Sequence, residues 1–205
     1  MANPNAKPNG HPPPSWYDDL EGTLAQAWRL VSRGAKDRRA EAHTPAVSTI
    51  GLDGAPQVRT VVLRAADPTA RTATFHTDAR SAKIEEIARD GRCSLLIYER
   101  SAKAQVRLQG RAVAHIDDAV AEEAWARTRP MSRICYHVTT APGAALDDSN
   151  APAFDPAATN DGRDHFACVV LHVEEIEWLY LHYAGHRRAK FSWLEDGWQK
   201  TWLIP

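Results

Sequence analysis

Arg59-Thr60-Val61-Val62-Leu63-Arg64 is a β-forming run closed at both ends by arginine, and Phe75-His76-Thr77, Ser81, Lys83 and Gln105-Val106-Arg107 follow it in order. Branched apolar residues favour a pleated strand, so the polar members of this series fall along successive strands and at one helix start. Cations, hydroxyls and an amide displayed in this way suit a flat, phosphorylated ligand that needs hydrogen bonds.

Outward from this run the apolar pattern keeps a period of two. Residues 46–50 read as a strand, Asp53-Gly54 as a turn and 57–65 as the partner strand. Further strands are expected over 72–77 and 93–98. In 105–111 the alternation is clean, with Gln105, Arg107, Gln109 and Arg111 on one face and Val106 and Leu108 on the other. After residue 168 strand signals return over 168–173, 176–182, 190–193 and 198–204, the last pair joined by a turn at Glu195-Asp196-Gly197.

Helical spacing appears in three places. Ser15 and Asp18 form a capping box before Leu20, Leu24, Trp28 and Val31, which share one face. Residues 81–89 read as a helix capped by Ser81, and 117–128 as a third that ends before Arg129-Pro130. Residues 1–14 are rich in Pro, Asn and Gly and are expected to be disordered. Residues 141–164 read as a long loop insertion. Seven or eight strands with two or three helices describe a mainly β, α+β chain: an antiparallel barrel with helices around it.

Composition narrows the function. With 205 residues the chain suits one domain, and 25 Lys+Arg against 26 Asp+Glu favour neither nucleic acid nor an anionic membrane. No apolar run is long enough to cross a bilayer, and no signal peptide is evident. Three cysteines, far apart, indicate neither a disulfide framework nor a zinc site, and a cytoplasmic protein is expected. Seven tryptophans are compatible with a subunit interface.

Each chemistry-bearing residue also has a plainer explanation. Arg59 and Arg64, five apart, point to opposite faces of a regular strand unless a bulge intervenes. One can hold a phosphate while the other meets a substrate, although two solvated arginines on an edge strand would look the same. Thr77 and Lys83 flank the helix that starts at Ser81, where N–H groups, a hydroxyl and an ammonium together cradle phosphate; the alternative is a surface lysine. Gln105 can donate and accept at once, or simply face solvent. Cys135, Tyr136 and His137 match no nucleophile signature. The nine histidines show no metal spacing on a helix; His182 and His186 are four apart in a strand-and-turn region, so no metal site is expected.

Taken in this order, the residues resemble the pyridoxamine 5'-phosphate oxidase superfamily of FMN-binding split barrels, over about residues 46–205 apart from the long loop. The 59–64 run is similar to that family's Arg-x-Val-Leu-Leu-Lys/Arg signature, and the spacings to His76-Thr77, Lys83 and Gln105 agree. Arg129-Pro130, Ser132, Gly197-Trp198 and Leu203-Ile204-Pro205 also fall near similar family residues.

The resemblance implies a six- to eight-stranded antiparallel split β-barrel with peripheral helices over residues 15–205, and FMN at a homodimer interface. Arg59, Thr77 and Lys83 would serve the phosphate, and the backbone of Val61, Val62, Leu63 and Arg64 with Gln105 the flavin ring. Thr60, His76 and Ser81 would lie among the cofactor contacts, and Trp178 and Arg188 would reach the cofactor of a second subunit. Arg64, Arg129, Ser132 and His186 are the substrate-orienting candidates.

The chain also departs from the family. Ala82 stands where an arginine joins the phosphate site, Trp125 replaces a tyrosine, and a Gln-Ser pair is missing near Ala141-Pro142. The C-terminal Arg-x-His reads Ala184-Gly185-His186. These losses fall on the substrate side more than on the cofactor side. An FMN-dependent oxidoreductase acting on a small anionic substrate is therefore expected, rather than a vitamin B6 oxidase. The alternatives are a flavin-binding carrier or sensor without turnover, a barrel that uses deazaflavin or haem (with His76 or His137 as ligand), and a barrel with no cofactor.

Overall fold

The computed structural model describes residues 12–145, 155, 157–158, 161–195 and 197–205. The first helix, α1 (Leu20–Lys36), begins five residues beyond Ser15, and residues 15–18 form a turn. Asp19 is the cap, because its carboxylate accepts from the N–H groups of Glu21 and Gly22 at 3.0 Å. Asp18 is drawn instead to Arg187, 2.8 Å away. The apolar stripe of α1 buries Leu24, Ala27, Trp28 and Val31.

Nine strands follow among the described residues: β1 (Ala46–Ile50), β2 (Pro56–Thr60), β3 (Leu63–Asp67), β4 (Thr72–Asp78), β5 (Arg92–Glu99), β6 (Ala104–His115), β7 (Phe166–Tyr180), β8 (Arg187–Leu194) and β9 (Gly197–Leu203). Between them lie α2 (Ala82–Arg89), α3 (Ala119–Arg127) and the short α4 (Pro130–Arg133). The single strand expected over 57–65 is two strands. Its first half pairs antiparallel with β1, Val47 opposite Arg59, and its second half pairs with β4, Leu63 opposite Phe75.

That division makes the barrel. The sheet runs β2-β1-β5-β6-β7-β4-β3, so its two edge strands are consecutive in sequence and only Val61 and Val62 separate them. The sheet must curl until its edges approach, and the seam is bridged by covalent chain where no ladder of hydrogen bonds closes it. Seven strands lie on this path; the β8–β9 hairpin extends outward from β7.

Leu63, Phe75, Leu95, Val106, Leu108 and Ile176 fill the interior, and α1 covers one end with Trp28 and Val31. Gly110 is required by this geometry. It sits at a bulge between β6 and β7, where a Cβ would meet the carbonyl oxygen of His172 at 1.9 Å. A second cluster packs Trp125 of α3 with Tyr136, Phe166 and Cys168.

No helix among the described residues is long and apolar enough to cross a membrane. Residues 1–11 of the segment expected to be disordered, half of the loop over 141–164 and Asp196 of the last turn fall outside the described residues; the end of that loop carries a 3-10 turn, Arg163–His165.

Candidate functional site

Two groups of the residues singled out by sequence come together, on either side of the β2–β3 seam. The first forms where β4 hands over to α2. Ser81 stands at the cap position, yet its hydroxyl makes no capping bond; it donates to the Asp78 carbonyl at 2.6 Å. Lys83 Nζ donates to Thr77 Oγ1 at 2.9 Å and to Ser81 Oγ at 3.0 Å. Burial, with the nearby Arg59 charge in second place, lowers the Lys83 pKa. Arg59 donates to Thr49 Oγ1 and to Glu86 Oε2, the latter at 2.9 Å, and Thr49 also donates to the buried Glu86. Arg59 is thus held next to Lys83 by a carboxylate on the next turn of α2. The handover itself is fixed by Arg80, which grips both oxygens of Asp78 and donates to the carbonyls of Val138 and Thr139 at 2.8 Å. Arg80 carried no motif signal because its partners lie 58 and 59 residues away.

The second group lines a cleft of about 400 Å³ between α1, β3, β4 and α3. Arg64, His76, Arg129 and Ser132 all face it. A shift of register between Leu63 and Ala65 puts Arg64 on a bulge, and its Nε is buried without a partner. The strand break and this bulge settle the disposition of the two arginines: Arg59 and Arg64 belong to different strands and different environments. His76 packs edge-on to Phe166 at 4.8 Å, with Thr128 Oγ1 3.4 Å from its Nδ1. Burial first, and the Arg64 charge second, pull its pKa down to about 4, so the imidazole is neutral near pH 7. Lys36 at the end of α1, Arg38 and His43 just beyond it, and Arg127 at the end of α3 line the same cleft. Sequence reasoning passed over these four, since no local pattern marks them as neighbours of Arg64.

The remaining candidates sit elsewhere. Thr60 ends β2, and Val61 and Val62 bridge the seam, with Val61 N–H donating to the Pro45 carbonyl at 3.0 Å. Gln105 lies on β6 between Tyr98 and Leu179, on the same face as Arg107. Arg107 and Arg188 both bind Glu177, at 2.7 and 2.8 Å. Trp178 points the other way, wholly buried against Trp16 at 5.5 Å, its Nε1 unpartnered. His186 lies in the β7–β8 turn, where its Nδ1 accepts from His182 N–H at 3.2 Å. Trp125 packs inward on Tyr136 and Phe166 and offers no hydroxyl to the cleft. No cluster of three or more metal-ligating side chains occurs among the described residues.

Known proteins resemble this chain in sequence and in fold. Residues 20–116 match the family model described as pyridoxamine 5'-phosphate oxidase, FMN-binding domain. The chain is 28% identical over 196 residues to pyridoxine/pyridoxamine 5'-phosphate oxidase 2 of Arabidopsis thaliana, covering 88% of this chain and 96% of that protein. It is 34% identical over 118 residues to the pyridoxine/pyridoxamine 5'-phosphate oxidase of Anaeromyxobacter dehalogenans, where it spans 58% of this chain and 56% of the relative. Among solved structures, a pyridoxamine 5'-phosphate oxidase-related, FMN binding protein from Nostoc punctiforme superposes with a TM-score of 0.70 at 20% identity, over 95% of this chain and all of that one. PhzG from Burkholderia lata, solved with tetrahydrophenazine-1-carboxylic acid, also gives 0.70, at 22% identity over 96% and 99% of the two chains. At such identities the structural likeness speaks for the fold.

Proposed function

We propose a function from one premise: the chain is a relative of the pyridoxamine 5'-phosphate oxidases, built on their split barrel. It binds FMN and acts as an oxidoreductase on a small anionic substrate. The observation that carries this reading is the convergence of Lys83, Thr77 and Ser81 at the start of α2, with Arg59 beside them.

The donor set fits a phosphate monoester. A partly buried ammonium, two hydroxyls and a neighbouring guanidinium are drawn together at the positive end of a helix. Burial and Arg59 both disfavour the charge on Lys83, and a phosphate dianion there would offset both. Lys83, Thr77 and Ser81 would hold the phosphate, and Glu86 with Thr49 would keep the Arg59 guanidinium in place. When bound, FMN supplies the redox chemistry, a two-electron exchange with the substrate.

The chain's own contribution is orientation. Arg64, Arg129 and Ser132 bind the acid group of the substrate in the cleft. His76, neutral, offers a hydrogen bond there without adding charge, and Ala65, Val120 and Val170 shelter the apolar part of the ligand. The site belongs to a homodimer in this reading. Arg188 and Gln105 lie on the outer face of the sheet, together with exposed Val58, Leu96 and Tyr98, and a second copy would cover that face. The three cysteines are unpaired, which suits the reducing cytoplasm.

The test is the absorbance spectrum of freshly purified protein, with mass analysis of whatever heat releases. A two-band flavin spectrum and released FMN support the reading. A colourless protein that leaves the fluorescence of added FMN unquenched removes it.

A further inference from the structure

Besides Arg64 and Arg129, two further cations line the cleft, at the end of α1 and just beyond it. Lys36 ends α1, Arg38 follows two residues later, and both are exposed on the cleft lining. Their position is set by packing. A Cβ on Gly34 would stand 2.4 Å from the Ala42 carbonyl oxygen, so only glycine lets the turn Glu41–His43 pack this tightly on the last turn of α1. His43 Nδ1 then donates to the Gly34 carbonyl at 2.7 Å. The end of α1 is thereby anchored over the cleft.

The charges on the lining do not balance. Among the described residues Glu123 is the one carboxylate on the lining, and it pairs with Arg127 at 2.5 Å. Lys36, Arg38, Arg64 and Arg129 form no ion pair among the described residues. Four cations around one cleft repel one another, and a ligand carrying more than one negative charge relieves this best.

We propose that the cleft takes a dianionic organic acid, with one acid group on Arg64, Arg129 and Ser132 and the other on Lys36 and Arg38. Its apolar body lies over Ala65, Val120 and Val170. This inference deepens the functional reading and rests on its assignment of the cleft to the substrate.

Calorimetric titration of the purified protein with straight-chain α,ω-dicarboxylates of increasing length, each against its monocarboxylate, tests it without any turnover. At one length the dicarboxylate binds at least about fivefold more tightly, the worth of one or two partly exposed ion pairs. K36Q/R38Q closes the gap, so that within this variant the dicarboxylate binds no more tightly than its monocarboxylate. R29Q/K103Q, which removes the same charge from exposed residues outside the cleft, keeps the gap. Dicarboxylates no tighter than monocarboxylates at every length would overturn the proposal, and so would a gap that closes equally in R29Q/K103Q. A preserved gap in a protein that binds no FMN would leave this inference standing and remove the flavin reading. FMN binding without a gap would do the reverse.

Discussion

His76 makes the state of the cleft measurable through pH. Its imidazole is held to a pKa of about 4 by burial and by Arg64, against an ordinary value of 6.5. The unfolded chain therefore takes up a proton as pH falls below 6.5, while the folded one resists it until about 4. The sign follows: the folded state loses stability through that window and the loss is complete below it. Linkage at these two values gives a loss of about 2 kcal/mol between pH 7 and pH 5, approaching about 3 kcal/mol at still lower pH. The perturbation is His76→Gln, which keeps a polar side chain and removes the titration. Urea unfolding at pH 7, 6 and 5 should show wild type falling faster than H76Q by that amount, with the other titrating groups cancelling in the difference. Nuclear magnetic resonance provides the direct check, since the His76 ring proton should not shift between pH 8 and pH 5.5. Parallel stability curves, or a ring that titrates near 6.5, would refute the argument that burial beside a guanidinium governs this residue.

Other substitutions probe the rest of the construction. Lys83→Met should weaken FMN binding by about ten- to a hundredfold, the worth of a charge-assisted hydrogen bond, and change riboflavin binding little; fluorescence quenching reads both. Arg59→Met leaves Glu86, which is 5% exposed, without its ion-pair partner and should cost about 3 kcal/mol in denaturant unfolding. Gly110→Ala drives a methyl group into the His172 carbonyl, so β6 and β7 must separate locally; thermal unfolding should move down by about 10 °C or more, and an unchanged midpoint would contradict the bulge.

Much of this molecule was legible in order along the chain. The 46–50 strand, the helix from Ser81 and the clean alternation of 105–111 appear where local rules place them, because period and capping chemistry are local properties. The Lys83 cradle was legible for the same reason: all its members lie within seven residues, across one strand-to-helix turn. The start of α1 is the exception: local rules put the cap at Ser15 with Asp18 in its capping box, whereas Asp19 caps the helix and Asp18 is held by Arg187, 169 residues away.

What the sequence determined by itself was the alphabet of the site: which cations, hydroxyls and amides are present, and on which kinds of element. The tertiary structure decided their grouping. The run 59–64 is continuous in sequence, yet its two halves pair with strands at opposite edges of one sheet, so curling of the sheet, and no spacing rule, separates Arg59 from Arg64. Lys36 and Arg38 precede that run by more than twenty residues and became part of the cleft only because the apolar stripe of α1 had to bury itself on the barrel. Side-chain chemistry is a local property, whereas the burial that brings α1 onto the barrel is satisfied only by the whole chain at once.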